Sequence, residues 1–183
     1  MSKARDLANA GTALTTVSAT ELGYLDGVTS AVQTQINTKA ASSTPTLTGA
    51  ILIAPEERTT VAATAAATTV NFDAATQGVL YYTSNASANW TLNVRGNSST
   101  TLNSILATGD AITVSFLVTN GSTAYYQTAF NIDGTTSGVT LEYSGGTVPA
   151  SGNASSVDVY TYTIIKTASA TYTVFGAGPI KYA

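Results

Sequence analysis

The sequence contains no cysteine and no histidine in 183 residues. Without cysteine there is neither a disulfide framework nor a thiolate metal site. Without histidine, the commonest metal ligand and the commonest general base near neutral pH are both missing. These two absences exclude most familiar catalytic constellations. Charge is also scarce, at 9% Asp, Glu, Lys and Arg against about 25% in an average domain. Seven Lys and Arg stand against ten Asp and Glu. The basic residues are scattered and form no stripe that could neutralise phosphates, so nucleic acid is not an expected partner. No run approaches the roughly 18 apolar residues of a membrane span, and membrane insertion is not expected. The opening MSKARDLANA is not followed by an apolar run of about 7–15 residues, so no secretory signal is expected either.

What the chain does have is 44% apolar residues, ten tyrosines and a polar complement dominated by Thr, Ser and Asn. Its length suits one domain with a real core, or a smaller domain carrying an extended arm. A surface of uncharged polar groups suits a rigid extracellular or particle-borne protein. Three zones are expected: a helical-looking N-terminal arm over 1–39, an extended linker with one short strand over 40–69, and a distal β domain over 70–183.

In the arm, Leu22, Leu25, Val28, Val32 and Ile36 recur at helical spacing and fall on one side of a helix. Ser18 or Thr20 is the expected N-cap, with Glu21 at the positive end of the helix dipole. Gly23 and Gly27 each disfavour a continuous helix by roughly 0.8–1 kcal/mol. A short turn near 21–25 and a second helix from about Thr29 to Lys39 are therefore predicted. Such a helix is shorter than the roughly 12–15 residues needed for marginal stability alone, so its apolar stripe must pack on something else.

In the second zone, the run from Ala50 to Ala54, between Gly49 and Pro55, reads as one short strand. Residues 59–69, TTVAATAAATT, are ambiguous between helix, strand and linker. The third zone alternates with period two. Trp90, Leu92 and Val94 alternate with Thr91, Asn93 and Arg95, and Ile112, Val114, Phe116 and Val118 alternate with Thr113, Ser115, Leu117 and Thr119. Further strands are predicted at 69–73, 78–83, 124–132, 139–143, 157–167 and 172–175, separated by turn-rich pieces such as TNGS and DGTTSG. The expected fold is mainly β, an antiparallel β-sandwich of jelly-roll type. On the 157–167 strand, Val157, Val159, Thr161, Thr163 and Ile165 lie on one side and Tyr160, Tyr162 and Ile164 on the other. Both sides are substantially apolar. Either one face meets a neighbouring subunit, or this is a central strand covered by its own loops.

The arm resembles a segment of bacteriophage tail fibres and other fibre-like virion proteins, in which a T-E-L-x-Y-L-D-G-V-T-S core precedes an A-x-Q-T-Q-x-N helix. Residues 20–30 and 31–37 match it throughout. The following Thr38-Lys39-Ala40 and Pro45-Thr46-Leu47-Thr48-Gly49 are similar to the pieces that follow that helix, with Leu47 where Phe is usual. The distal pieces VRGN (94–97), GSTAYY (121–126), IDG (132–134) and VDVYTYTIIKT (157–167) resemble a domain of structural proteins of marine, especially cyanobacterial, phages. The resemblance implies a homotrimer on the virion. Three copies of the Leu22, Leu25, Val28, Val32 and Ile36 stripe would then form a seam about an axis. It also implies other virion proteins as partners of the arm, and host-surface glycan or protein as a candidate partner of the far end. A decoration or connector protein without host contact is the alternative.

Paired carboxylates are the enzymatic option left, as in fibre-borne depolymerases. The distal acids are Asp110, Asp133, Glu142 and Asp158. Asp110 and Asp133 sit at turn positions that favour Asp for local hydrogen bonds, and no enzyme activity is expected. Asn131 to Glu142 spaces acids like a calcium loop, but Thr136 occupies the position that requires Gly, and a hairpin turn is expected there instead. No metal or cofactor is expected. The doublets Tyr81-Tyr82 and Tyr125-Tyr126 should place one ring in the core and the other on a surface. Tyr82, Tyr125, Tyr160 and Tyr162 are the candidates for a distal subunit interface or glycan contact.

Overall fold

The computed structural model describes Lys3, residues 18–24 and residues 56–183. The chain divides into two compact units, 1–53 and 54–183. In the first, helix α1 (Ala19–Gly23) opens on a capping box. The Glu21 backbone N–H donates to Ser18 Oγ, and Glu21 Oε2 accepts from the Ser18 N–H and hydroxyl, both at 2.7 Å. Ser18 is thus the cap. Leu22 lies in α1, while Leu25, Val28, Val32, Ile36 and the 50–54 strand fall outside the described residues.

The second unit is mainly β. Its strands are β1 (Thr59–Ala62), β2 (Thr68–Asp73), β3 (Val79–Tyr82), β4 (Trp90–Arg95), β5 (Ala111–Asn120), β6 (Gln127–Ile132), β7 (Val139–Tyr143), β8 (Ser156–Ala168) and β9 (Thr171–Tyr182), with a one-turn helix α2 (Leu102–Ile105) between β4 and β5. The six-stranded sheet has the order β1-β3-β5-β8-β9-β7, and the three-stranded sheet the order β2-β4-β6.

The expected antiparallel jelly-roll arrangement is corrected by the pairing. β1 with β3, β3 with β5, β2 with β4, β4 with β6, and β7 with β9 are all parallel; only β8 is antiparallel, to β5 and β9. From β1 to β6 each short loop carries the chain from one sheet to the other. A strand's lateral neighbour is therefore the next but one in sequence, running the same way, so this part of the domain winds like a solenoid. The β8–β9 hairpin then inserts between β5 and β7. Loop backbone continues the stacking: Thr83 N–H donates to Ala62 O at 3.0 Å, Ser87 N–H to Ala66 O at 3.0 Å, and Ala86 N–H to Thr119 O at 2.8 Å. The stretch left ambiguous, 59–69, holds β1 and the start of β2, so the β unit begins well before the expected boundary at 70.

Period-two alternation assigns the faces correctly. Trp90, Leu92 and Val94 of β4 are fully buried, as are Phe116 and Val118 of β5. They meet across the gap between sheets, where the Trp90 ring stands edge-on to Phe116 at 5.9 Å and to Tyr160 at 6.0 Å, and Phe130 lies 4.7 Å from Tyr162. Such aromatic pairs add about 0.5–1.5 kcal/mol beyond the area they bury.

Two strands depart from their predicted limits. β6 begins at Gln127, not Ala124, because Tyr125 and Tyr126 sit in the preceding loop: Asn120 Nδ2 donates to Tyr125 O, and the Tyr126 N–H donates to Asn89 Oδ1, each at 3.0 Å. β9 runs to Tyr182 although Gly176, Gly178 and Pro179 suggest a stop. At Gly176 a Cβ would lie 2.9 Å from the Tyr162 ring, so glycine makes room for that tyrosine. At Gly178, with φ +117°, the strand bulges between the Thr161–Ala177 and Val159–Ile180 pairs and then resumes.

Candidate functional site

The outward face of the three-stranded sheet is polar and built from aligned rows. Parallel register places Asn71, Asn93 and Asn131 side by side on β2, β4 and β6. Asn93 Nδ2 donates to Asn71 Oδ1 at 2.8 Å, and Asn93 Oδ1 accepts the Gly134 N–H at 2.7 Å. Asn93 and Asn71 thus bond along the stacking direction, as amides do in other in-register parallel stacks, while Asn131 continues the row by register. In the next row Arg95 Nε bonds Asp73 Oδ1 at 2.7 Å, with both side chains about two-thirds buried. No sequence signal announced this ladder, because its three asparagines are far apart and unequally spaced in the chain.

Beside the ladder lies a shallow groove of about 350 Å³, lined by Asn93, Arg95, the 97–101 loop, Asp133 and Gly134. Asp133 faces the start of α2. Its two carboxylate oxygens accept the Leu102 and Asn103 N–H groups, at 2.7 and 3.0 Å, at the start of α2. At the other end of α2 the buried Lys166 donates from Nζ to the Asn103 and Leu106 carbonyls, at 2.6 and 2.8 Å. A carboxylate at the N-terminus and an ammonium at the C-terminus each complement the helix dipole, which accounts for a helix of a single turn. The groove therefore presents amide, hydroxyl and guanidinium groups, an inventory suited to a hydroxyl-rich ligand.

The other distal acids are dispersed. Asp110 Oδ2 accepts the Ala107 N–H at 2.8 Å in a turn, and Glu142 is exposed on β7. Asp158 is completely buried, accepting from Asn120 Nδ2 (3.0 Å), Asn153 N (2.9 Å) and Asn153 Nδ2 (2.7 Å). Among the described residues no group of three or more His, Cys, Asp or Glu could hold a metal ion, and no helix is long and apolar enough to cross a membrane.

The tyrosine candidates need correction. Tyr160 and Tyr162 are fully buried between the sheets and offer no surface. The Tyr162 hydroxyl donates to the buried Gln127 Oε1 at 2.7 Å, and burial pushes its pKa well above the ordinary 10. Tyr82 packs edge-on against Phe116 at 5.4 Å, so in the Tyr81-Tyr82 doublet Tyr81 is the outward member. Tyr125 is half-buried against the core from its loop. Parity along β8 already placed Tyr160 and Tyr162 on one side. Which side was the core followed from the pairing of sheets.

These features define a mainly β protein whose strands wind alternately through two sheets. Comparison with protein-family models, with characterised proteins and with solved structures finds no match to this chain.

Proposed function

We propose that this chain is a non-enzymatic structural protein of a bacteriophage virion: a short homotrimeric fibre held on the particle by its N-terminal arm, with the β domain projecting outward and contributing to host-surface adhesion. The observation that carries this reading is the segment 20–37, TELGYLDGVTSAVQTQIN, with its fibre-type core and its single apolar stripe. An isolated stripe of that length needs partners, and two further copies supply them. The capping box at Ser18 and Glu21 supports a helical start to the segment. The low-charge surface and the winding β domain suit a rigid projecting part. The polar groove beside the asparagine ladder suits contact with hydroxyl-rich surface glycans.

Antibody raised against the full chain should decorate intact phage particles in electron micrographs, and the purified chain should bind host cells. Unlabelled particles would overturn the virion assignment. Labelled particles without host-cell binding would leave a connector in place of an adhesin, and release of reducing sugar from host polysaccharide would overturn the non-enzymatic reading.

A further inference from the structure

The six-stranded sheet has an outward face that its own domain does not cover. Register carries one row straight across five strands: Val61 pairs with Tyr81, Tyr81 with Leu117, Leu117 with Val159, and Val159 with Ile180. Every member is apolar, and all five point away from the core residues that alternate with them. Val61 is 63% exposed and Ile180 46%. Val157 and Tyr182 pair in a second row on the same side, and Phe175 stands out from β9 at 51% exposure.

Across β1, β3, β5, β8 and β9 the face also lacks charge, and the exposed Glu142, paired with Phe175, stands at its edge on β7. β1, β3 and β5 contain no charged residue. The charged residues of β8, Asp158 and Lys166, are buried on the inner side, and Lys181 of β9 pairs with Asp158 and shares its side. Across these five strands the contrast with the three-stranded sheet, whose outward face carries the asparagine row and the Arg95–Asp73 pair, is clear. Contiguous exposed apolar surface of this kind marks an interaction site.

We infer that this face is where copies of the chain pack against one another. The inference rests on the self-assembly proposed above and adds the surface through which the β domains join. A second copy is the occupant that fits. The uncharged row offers nothing for a charged partner to recognise, but it is complementary to the same row on the other copies of the trimer, brought together about the threefold axis, where pleated faces pack at about 10 Å through interdigitating side chains. The size is also sufficient. Five strands about 4.8 Å apart, the long ones running ten residues or more at about 3.3 Å each, present roughly 600–800 Å², close to the about 800 Å² each partner contributes to a stable interface. A hollow of about 300 Å³ lined by Glu142, Thr161, Thr163 and Phe175 has room for a polar side chain of a neighbouring copy at the edge of this face.

The test uses the full chain in sedimentation velocity over a range of concentrations, with Leu117→Lys at the centre of the row. Val148→Lys, at an exposed loop residue, is the control. The wild type should sediment as a multimer. Leu117→Lys should raise the dissociation constant roughly a hundredfold or more, as burial of an unpaired charge at an interface centre does, and the control should change nothing. The chain has no cysteine, so Ser115→Cys, nearly isosteric and outward-facing, reports on the same surface without threatening the fold. Its thiol should be labelled roughly tenfold or more slowly in the multimer than after dilution to monomer.

If Leu117→Lys assembles like the wild type and Ser115→Cys labels equally fast in both states, this face is not the interface. Dissociation by Val32→Asp with Ile36→Asp would then locate self-assembly in the arm alone. A wild type that stays monomeric at every concentration would overturn both the assembly and the face. A thiol protected only on the intact particle, with the isolated chain monomeric, would replace the second copy by another virion protein.

Discussion

Asp158 makes the most concentrated set of hydrogen bonds in the β domain. Removing its carboxylate leaves the Asn153 N–H, Asn153 Nδ2 and Asn120 Nδ2 donors facing a void, and each unsatisfied buried group costs about 1–3 kcal/mol. Asp158→Ala is therefore expected to destabilise the domain by about 3 kcal/mol or more, measured by urea unfolding. A loss under 1 kcal/mol would mean that water replaces the carboxylate freely. Tyr162→Phe tests a smaller version of the same effect. It strips Gln127 Oε1 of its donor in the core and should cost about 1–3 kcal/mol. At this scale the sequence was partly legible. Asp158 shares the parity of Tyr160 and Tyr162 along its strand, which is enough to place it on their side. Its partners were not legible, because Asn153 comes from a loop without pattern and Asn120 from the end of another strand.

At the scale of elements, the two helices show what local sequence can and cannot reveal. The S-x-x-E pair at Ser18 and Glu21 is a local signal, and its geometry follows. The hydrogen bonds from the Ser18 backbone N–H and then its hydroxyl hold the Glu21 carboxyl below its ordinary value of 4.5. A depressed carboxyl supports the turn above the unfolded value and withdraws that support as pH falls through the folded one. The Glu21 carboxyl resonance should therefore titrate below 4.5 by NMR, and Ser18→Ala, which removes the hydroxyl but keeps the backbone N–H, should move it only part of the way back. Helix α2 is the contrary case. Its four residues carry no charge at either end, and the complementing groups, Asp133 and Lys166, come from distant turns and strands. Thr101 caps α2 locally through the Ser104 N–H, and Asp133→Ala should still cost about 1–2 kcal/mol by leaving the Leu102 and Asn103 N–H groups without their acceptor. The same change should lower the Tyr172 hydroxyl, which burial and then the Asp133 charge push up to about 12, and alkaline titration of that tyrosine would show it.

For the whole molecule, buried tyrosines set the alkaline limit. Tyr160, Tyr162 and Tyr172 all have hydroxyls raised above 10, burial being the first cause in each. Above pH 10 the unfolded chain releases those protons while the folded chain keeps them, so the native state binds more protons and loses stability as pH rises. Stability against urea should be level up to about pH 10 and fall beyond it, with phenolate absorbance appearing together with unfolding. Phenolate appearing well before unfolding would show that these rings are not sealed in the core. In solution near neutral pH the native mass should be about three times the 18.6 kDa of one chain, and a stable monomer would contradict the proposed fibre.

The sequence by itself determined that the distal part is mainly β, which residues of each strand share a side, and that the arm turns near Glu21 with Ser18 or Thr20 as its cap. Those properties are local: a two-residue period, an S-x-x-E cap and the turn chemistry of Gly, Asn and Ser are all written within a few positions. Tertiary structure alone decided that the strands run parallel through two sheets. A short turn between two alternating strands can fold them back as hydrogen-bonded neighbours or carry the second across the core, and both leave the same period in the sequence. Only the packing of Trp90 against Phe116 and Tyr160 from the opposite sheet selects between them. That choice aligned three distant asparagines, buried Tyr160 and Tyr162, and turned one apolar row of the six-stranded sheet outward.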